Sequence, residues 1–366
     1  MKGTVCFFNS NRAWGGGEKW HLTSAEDFRA RGFDVLVVAN EGSKLAAEAR
    51  RRGVPVSEVS VGNLSFLNPV KLLSLTKFFR EKKVDTVILN LPSDLKLAGI
   101  AAKRAGVRNI IYRRGMPHPL RNTGLNRYLF TDVLTGIVVN SEEIGRSLRR
   151  GNEGWFPERK LVLVYNGVDS SVTPSRSAPL YRKARGEIVI GNAGRLTEQK
   201  GQTYLIEMAS LLHAQGLNFK LLIAGEGELL GPLREKINGA NLQDRIQLLG
   251  HVSDMGAFFG SLDVFVFPSL YEGSANTLIE TLQHGVPAVA FEVSSNPEIL
   301  VHRKNGLLAK PFDVRELADL VRELCLNPEL GKTFNEESQR MLRDKFDSRK
   351  NLGRLVAVIE AGPKPT

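Results

Sequence analysis

Four charged side chains lie at spacings that suit the chemistry of phosphate and sugar groups. Glu272 and Glu280 are eight residues apart in "FPSLYEGSANTLIETLQHGVPAVAF" (267–291), and Arg195 and Lys200 belong to "GRLTEQKG" (194–201). Two cations neutralise a diphosphate, whereas carboxylates accept hydrogen bonds from hydroxyls. The set therefore indicates a site for a nucleotide-sugar, in which a diphosphate lies between two sugars.

The segment around the two glutamates predicts a strand, a loop and a helix that begins near Ala275. Gly273 and Ser274 would let the backbone approach a ligand and would leave the first N–H groups of the helix free, which favours an anion site. Gly285 would end the helix, with Pro287 just beyond it. The residues expected to face a sheet are Ala275, Leu278, Ile279 and Leu282.

A third candidate segment, "GGGEKW" (15–20), follows the first apolar run. Its glycines would let backbone N–H groups reach a phosphate or a sugar. Neither this segment nor "GEGELLG" (225–231) has the G-x-G-x-x-G spacing of a dinucleotide site. The glycines thus indicate a phosphate or sugar contact and no dinucleotide fingerprint.

Strand-like and helix-like segments alternate along the chain, which is typical of doubly wound α/β domains. The strand-like runs lack strict polar and apolar alternation, as expected of parallel strands covered on both faces. Ser141 is expected to cap the helix after the fifth strand. The predicted strands are 4–9, 34–40, 86–91, 109–113 and 136–140 in the first half, and 187–194, 219–225, 246–250, 264–268 and 287–291 in the second.

These two series predict two Rossmann-like domains that face a central cleft, with ligands beyond the carboxyl ends of the strands. The first domain is predicted over 1–166 and the second over 187–345. Residues 167–186 are rich in Ser, Pro and basic residues and are predicted to be a linker. Residues 346–366 are predicted to form a tail or helix that packs back toward the first domain.

The composition is that of a globular protein, with 42% hydrophobic and 24% charged residues. Two distant cysteines indicate a reducing compartment rather than a disulfide framework. The N-terminal segment lacks the pattern of a signal peptide, and no stretch approaches the ~18 apolar residues of a membrane span. We expect a cytoplasmic protein.

The net charge of +11 is concentrated in the first half of the chain. Residues 1–150 contain 25 Lys and Arg against 13 Asp and Glu, whereas the remainder contains 25 against 26. Aromatic residues are not interleaved with the cations, which argues against a nucleic-acid partner. An apolar stripe among cations in "NPVKLLSLTKFFREKK" (68–83) predicts peripheral contact with the inner leaflet of the cytoplasmic membrane. The alternative is a solvated basic surface with no partner.

Seven motifs occur in a fixed order: "GGGEKW", "VNSEEIGRSL", "VYNGVD", "GRLTEQKG", "LLIAGEGEL", "LGHVSDM" and "FPSLYEGSANTLIETLQHGVPAVA". In this combination they resemble the glycosyl transferases group 1 family, which consists of retaining glycosyltransferases of the GT-B fold. That family includes bacterial enzymes that act on lipopolysaccharide, capsule and phosphatidylinositol. The resemblance covers nearly the whole chain and is strongest from Tyr165 to about Pro311.

The resemblance implies a role for each candidate residue. Glu272 would contact hydroxyls of the donor sugar, and Glu280 would hold the nucleotide ribose. Arg195 and Lys200 would bind the diphosphate, so that both are candidate catalytic residues together with Glu272. The other implied donor-binding positions are Gly15, Gly16 and Gly17 over the reacting centre, Val252 beside the base, and Ser274, Ala275, Asn276 and Thr277 as donors to sugar and phosphate.

The chain departs from the family pattern at a histidine that many members carry at the end of a first-domain strand. Here the sequence is "IIYRRGMPHPL" (110–120), so Arg113, Arg114 or His118 would take that place, and His118 joins the candidate catalytic residues. The chain also lacks a D-x-D pair, so no metal site is predicted. The two cations and the helix N-terminus are expected to stabilise the leaving nucleoside diphosphate instead.

The implied activity is a retaining, metal-independent hexosyltransferase without a cofactor. Its donor would be a nucleotide-sugar, with UDP as the first choice and GDP or ADP as alternatives. Its acceptor would be an anionic glycan or glycolipid bound by the first domain, in cell-surface polysaccharide or lipopolysaccharide biosynthesis. Two other functions remain open: a non-hydrolysing sugar-nucleotide epimerase of the same fold, and a non-catalytic basic protein that binds a membrane or nucleic acid.

Overall fold

The computed structural model describes residues 2–171 and 178–362. The chain forms two units, of which the first comprises Met1–Val164 with Leu352–Thr366 and the second comprises Tyr165–Asn351. Each unit is built on its own parallel sheet, so the prediction of two Rossmann-like domains is confirmed. Within the predicted linker, residues 172–177 lie outside the described residues, as do residues 363–366 of the predicted tail.

The sheet of the first unit has seven parallel strands in the order β3-β2-β1-β4-β5-β6-β7. The strand order reverses between β1 and β4, which makes the carboxyl ends of these two strands the switch point of the sheet. All five predicted strands are present, and the sequence pattern missed β3 and β7, which are three residues long. The strands are β1 Lys2–Asn9, β2 Phe33–Ala39, β3 Val56–Glu58, β4 Val84–Leu89, β5 Asn109–Arg114, β6 Gly136–Val139 and β7 Leu161–Leu163.

Successive residues of β1 enter different hydrophobic clusters, because side chains of a strand point alternately to the two faces. Cys6 and Phe8 pack in one cluster, and Val5 and Phe7 pack in the other. Ser141 caps a helix as predicted, since its hydroxyl accepts a hydrogen bond from the Ile144 N–H at 3.3 Å. The helices are α1 Gly16–Ala30, α2 Lys44–Arg51, α3 Pro69–Glu81, α4 Pro92–Asp94, α5 Ile100–Ala105, α6 Gly124–Tyr128 and α7 Glu142–Arg149, with 3₁₀ turns Ser65–Leu67 and Glu158–Lys160 and π turns Leu95–Gly99 and Leu129–Val133.

The sheet of the second unit has six parallel strands in the order β10-β9-β8-β11-β12-β13. Here the order reverses between β8 and β11, so the loops that follow these strands lie side by side. The five predicted strands are again present, and the three-residue β13 was missed. The strands are β8 Ile188–Ala193, β9 Phe219–Ala224, β10 Ile246–Gly250, β11 Val264–Phe267, β12 Ala288–Phe291 and β13 Leu307–Ala309.

The helices of the second unit include the one predicted after the two-glutamate loop. It begins at Asn276, one residue after the predicted start, and its four predicted core residues are all buried. It ends as predicted, because Gly285 has φ 73° and donates its N–H to Leu282 O at 3.0 Å. The helices are α8 Gln202–Ala214, α9 Leu230–Gly239, α10 Met255–Phe259, α11 Asn276–Gln283, α12 Asn296–Ile299, α13 Val314–Leu326 and α14 Pro328–Asp344, with a 3₁₀ turn Glu198–Lys200.

The last helix, α15 (Ser348–Ala361), starts in the second unit and belongs to the first unit from Leu352 onward. In the first unit Leu355, Val356 and Ile359 are buried in the cluster that contains Val5 and other strand residues. The Asn109 amide donates to Ile359 O at 3.1 Å, which ties the helix to the start of β5. Over the described ranges, no helix is long and apolar enough to cross a membrane.

Candidate functional site

The loops after β8 and β11 of the second unit are joined by hydrogen bonds between their backbones. The Leu270 N–H donates to Gln199 O at 2.8 Å, and the Gln199 side-chain amide donates to Tyr271 O at 3.0 Å. These loops carry Lys200 and Glu272, which are 72 residues apart in the chain. The switch point of the sheet therefore brings two predicted site residues to one place.

Lys200 and Glu272 form a buried ion pair. The ammonium nitrogen lies 2.6 Å from Glu272 Oε1, and the two side chains are only 16% and 6% exposed. The ammonium also lies 5.4 Å from the centre of the Phe267 ring, within range of a cation–π contact. The cation expected at a diphosphate and the carboxylate expected at sugar hydroxyls thus contact each other directly.

Two glycines allow the backbone to pack closely beside this pair. Gly201 has φ 65°, and a Cβ there would lie 2.1 Å from Pro268 O. Gly225 has φ 141°, and a Cβ there would lie 1.9 Å from Gly194 O. Only glycine tolerates both a positive φ and so close an approach of another backbone oxygen. Gly225, the first glycine of "GEGELLG", therefore allows close contact between two loops.

Arg195 differs from Lys200 in its surroundings. Its side chain is exposed, and no ion pair among residues 2–171 and 178–362 involves its guanidinium. Its backbone carbonyl accepts a hydrogen bond from the Gln202 amide at 2.9 Å, which anchors the loop to the start of α8. Within the same ranges, no group of three or more His, Cys, Asp or Glu side chains is arranged to hold a metal ion.

The N-terminus of α11 has no hydrogen bond from a capping side chain, because Ala275 occupies the cap position. The carboxamide oxygen of Asn276 accepts hydrogen bonds from Ser274 Oγ at 3.3 Å and from the Asn166 amide at 2.9 Å. Thr277 follows in the first turn, and Glu280 lies one turn further on and is partly exposed. The Asn276 N–H donates to Ser274 O and the Leu278 N–H donates to Ala275 O, both at 2.9 Å. The first turn therefore presents polar side chains as predicted, but these two backbone N–H groups are not free as the sequence predicted.

Val252 lies apart from these residues in the sheet order. It follows β10, and β9 separates β10 from β8. Its side chain is partly exposed. Its predicted place beside a nucleotide base remains a prediction.

In the first unit, the predicted glycine loop is instead the start of a helix. Gly15 occupies the cap position of α1 with an extended φ of −158°, and Gly16 and Gly17 belong to the first helical turn. The Lys19 N–H donates to Gly15 O at 3.0 Å. A Cβ at Gly17 would lie 3.3 Å from Asn90 Nδ2, so this glycine lets α1 approach the end of β4 closely. The predicted loop therefore ends at Gly15 and does not include Gly16 and Gly17, because glycines at a helix start satisfy the same pattern. The contact of these three glycines with a donor stays a prediction.

A buried charge cluster lies behind that first turn, and the sequence analysis did not single out its acid, Glu18. Glu18 is 3% exposed, and its Oε1 accepts hydrogen bonds from the Asn9 amide at 3.1 Å and the Asn11 amide at 2.9 Å. The Arg113 guanidinium lies 4.0 Å from the centre of the Trp20 ring. Burial lowers the pKa of Arg113 to about 10, against the attraction of Glu18. The signal that could have found Glu18 is an acid in the first helical turn, where the helix dipole favours one.

The structure separates the three residues proposed for the position of the family histidine. Arg113 is buried, whereas His118 is exposed. Arg114 donates to Tyr112 Oη at 3.0 Å, to Met116 O at 3.2 Å and to His118 O at 2.7 Å. Arg114 therefore shapes the loop that presents His118, and a catalytic role of His118 stays a prediction.

A second buried acid lies at the switch point of the first sheet. Asp94 accepts hydrogen bonds from the Leu91 N–H at 2.8 Å and from the Ser10 N–H at 3.3 Å, and also from the Ser10 hydroxyl. Burial raises the pKa of Asp94 to about 7, although these hydrogen bonds oppose the shift. Asp94 thus links the end of β1 to the turn after β4.

Two family models match this chain, one in each half. Residues 14–172 match the family described as Glycosyltransferase Family 4, and residues 178–341 match the family described as Glycosyl transferases group 1. The two matches together span both units.

Related proteins are also named as glycosyltransferases. An uncharacterized glycosyltransferase of Methanocaldococcus jannaschii is 34% identical over 267 residues, which is 64% of each chain. One of Haemophilus influenzae is 24% identical over 350 residues, or 94% of this chain and 96% of that protein. The UDP-Gal:alpha-D-GlcNAc-diphosphoundecaprenol alpha-1,3-galactosyltransferase of Escherichia coli is 26% identical over 275 residues, or 69% of each chain.

Solved structures share the fold over almost the whole length. A glycosyltransferase from Rickettsia africae superposes with a TM-score of 0.85 at 18% identity, covering 98% of each chain. Anabaena HepE in complex with UDP and glucose superposes with a TM-score of 0.81 at 19% identity, covering 98% of this chain and 99% of that one. At these identities the similarity concerns the fold.

Proposed function

Because this chain belongs to the glycosyl transferases group 1 family and has the GT-B fold, we propose that it is a retaining glycosyltransferase. It moves a sugar from a nucleotide-sugar to an anionic glycan or glycolipid in cell-surface polysaccharide or lipopolysaccharide biosynthesis. The observation that carries the proposal is the Lys200–Glu272 contact of 2.6 Å at the switch point of the second sheet. This contact supports the proposal because it brings together a cation that suits phosphate oxygens and a carboxylate that suits sugar hydroxyls.

The proposed donor is a UDP-sugar, with GDP- and ADP-sugars as alternatives. Two similarities support UDP: HepE was solved with UDP and glucose, and the Escherichia coli relative is named as a UDP-Gal-dependent transferase. On this chain, Lys200, Arg195 and the first turn of α11 bind the diphosphate, and Glu280 binds the ribose. Glu272 accepts hydrogen bonds from the donor sugar.

In the proposed reaction, the bond between the anomeric carbon and the phosphate oxygen breaks, and the acceptor oxygen bonds to the same face of that carbon. The leaving phosphate oxygen takes the proton of the acceptor hydroxyl, and bond formation on the same face retains the anomeric configuration. Lys200 and Arg195 stabilise the charge that develops on the leaving diphosphate. Removal of one such group typically lowers turnover by ~10²–10³.

We place the acceptor and the membrane contact on the first unit. Four apolar side chains there are 62–73% exposed and form the apolar ridge: Leu64, Leu67, Val70 and Leu73. Cations follow on α3 and just after it, namely Lys77, Arg80, Lys82 and Lys83. Exposed apolar residues bordered by cations suit the interface of an anionic membrane, where a lipid-linked acceptor would collect. This supports a peripheral location on the cytoplasmic side.

Turnover of a panel of nucleotide-sugars tests the proposal. UDP-, GDP- and ADP-sugars are incubated with lipid-linked glycan acceptors, and nucleotide release is measured together with the NMR coupling of the anomeric proton in the product. We expect acceptor-dependent release and retained configuration. An inverted product would overturn the retaining assignment, and sugar epimerisation without an acceptor would favour the epimerase. Lys200→Met should lower turnover by ~10²–10³.

Chelation tests the proposed metal independence. Because two cationic side chains take the place of a metal at the diphosphate, activity in excess EDTA should equal activity in added Mg²⁺ or Mn²⁺. A loss of activity in EDTA that either metal restores would contradict this assignment.

A further inference from the structure

In the free protein, the ammonium group of Lys200 is already engaged by a carboxylate. Its 2.6 Å contact with Glu272 is shielded from water, since the side chains are 16% and 6% exposed. A buried ion that loses its partner is costly. A ligand whose phosphate draws Lys200 away therefore also has to compensate for the unpaired buried charge of Glu272.

The backbone holds the two residues in this arrangement. The Leu270–Gln199 and Gln199–Tyr271 hydrogen bonds join the two loops, and the close contact of Gly201 with Pro268 O fixes the turn that carries Lys200. The joined loops thus keep Lys200 and Glu272 within reach of each other.

From this geometry we propose that the Lys200–Glu272 pair makes the site favour an intact nucleotide-sugar over a free nucleoside diphosphate. This inference rests on the proposed function. The intact donor brings sugar hydroxyls that donate to Glu272 when Lys200 turns to the phosphates. A free nucleoside diphosphate lacks the donor sugar, so its phosphate competes with Glu272 for the Lys200 ammonium and weakens the ion pair without bringing new donors to the carboxylate. The product consequently binds more weakly than the donor and leaves the site.

The test is a double-mutant cycle in binding rather than in turnover. UDP, GDP, ADP and inorganic pyrophosphate are titrated by calorimetry into wild type, Glu272→Gln, Lys200→Met and the double variant. We expect Glu272→Gln to bind the free diphosphate at least about fivefold more tightly than wild type, which is the lower end of typical coupling. This gain in affinity for the free diphosphate should disappear when Lys200→Met is also present. Glu272→Gln should not bind the intact nucleotide-sugar more tightly than wild type does.

Arg195→Met is the matched control, because this cation is exposed and has no ion pair within the described ranges. It should weaken binding of the free diphosphate by the same factor in wild type and in Glu272→Gln. If Glu272→Gln does not fold, as judged by thermal unfolding, Glu272→Asp replaces it. Asp draws the carboxylate back by one methylene group and should show a smaller gain that again depends on Lys200.

The outcomes separate this inference from the proposed function. No gain in Glu272→Gln, or a gain that persists without Lys200, overturns the inference even when the wild type transfers sugar. A Lys200-dependent gain for pyrophosphate in a protein that binds no nucleotide-sugar supports the competition and overturns the proposed donor.

Discussion

Three acidic side chains are almost fully buried at the carboxyl ends of strands, and each is compensated in a different way. Glu272 contacts an ammonium group, Glu18 accepts from two asparagine amides, and Asp94 accepts from backbone N–H groups and a serine hydroxyl. An ionised carboxylate is costly to bury without such donors. A ligand could therefore compete with Glu272 for its ammonium partner. Glu18 and Asp94 instead accept hydrogen bonds from amide, hydroxyl and backbone groups of the folded chain.

Glu280 is expected to act on the nucleotide alone. Glu280→Gln keeps the size of the side chain and removes its charge, so it should raise the KM for the donor with a smaller effect on kcat. Steady-state kinetics measure both. A 2′-deoxyribonucleotide donor should reduce the difference between variant and wild type, since one ribose hydroxyl is missing. Glu235→Gln, an exposed glutamate on α9, is the control, and an equal effect of both variants would contradict the ribose assignment.

Asp94 should make stability depend on pH in an unusual direction. Between the ordinary aspartate pKa of about 4 and the raised pKa of about 7, the folded protein keeps a proton that the unfolded chain releases. The free energy of unfolding contributed by this group therefore falls as the pH rises through that window and is level above it. Denaturant unfolding of wild type and Asp94→Asn from pH 4 to 8 measures this difference. Parallel curves for the two proteins would contradict the raised pKa.

At the scale of elements, short loops position the site more than the helices do. The 3₁₀ turn Glu198–Lys200 and the loop after β11 are tied together before α8 and α11 begin. Gly201, at the end of the turn, has a left-handed backbone conformation, and a Cβ at this position would lie 2.1 Å from Pro268 O. A change at this glycine should consequently act on the separation of Lys200 and Glu272.

Gly201→Ala is expected to destabilise the protein and to lower its turnover. The substitution adds the strain of a left-handed alanine, about 1 kcal/mol, and a clash with Pro268 O. Gly216→Ala is the matched control, because Gly216 has φ 76° with no atom within 4 Å of the added Cβ. Thermal unfolding should show a larger loss for Gly201→Ala, and only this variant should lose activity. Equal losses would mean that the close contact does not position the pair.

At the scale of the whole molecule, the charge is divided between the two halves of the chain. The excess of cations lies within residues 1–150, in the unit that also carries the apolar ridge. The second unit carries the cation–carboxylate pair and little net charge. This division of charge agrees with the proposal that the first unit binds an anionic acceptor and the second unit binds the donor.

Binding to vesicles is expected to require both the charge and the apolar ridge. Wild type should co-sediment with vesicles that contain anionic lipid at low salt, and it should be released at high salt, because screening weakens the attraction. Leu67→Ser combined with Leu73→Ser should reduce the bound fraction. Leu326→Ser is the control, since this leucine is 57% exposed but belongs to the second unit. Equal binding to neutral and anionic vesicles would leave the basic half as a solvated surface.

Much of the architecture was determined by the sequence itself. Ten strands were predicted because runs of β-branched and apolar residues extend over four residues or more, whereas β3, β7 and β13 have only three residues each and leave no clear pattern. The start of α11 was predicted to within one residue, since Gly273 and Ser274 precede a regular apolar spacing. These features depend on neighbouring residues, so local patterns are sufficient to predict them.

Only the tertiary structure decided which of the candidate residues meet. Lys200 contacts Glu272 because β8 and β11 are neighbours in the sheet, and strand order is not written in the spacing of either segment. Arg113 is buried while Arg114 holds a loop, because adjacent residues of β5 point to opposite faces. Both faces of this sheet are covered, so polarity alone could not tell which arginine is buried. Contacts between distant segments follow from how the strands assemble.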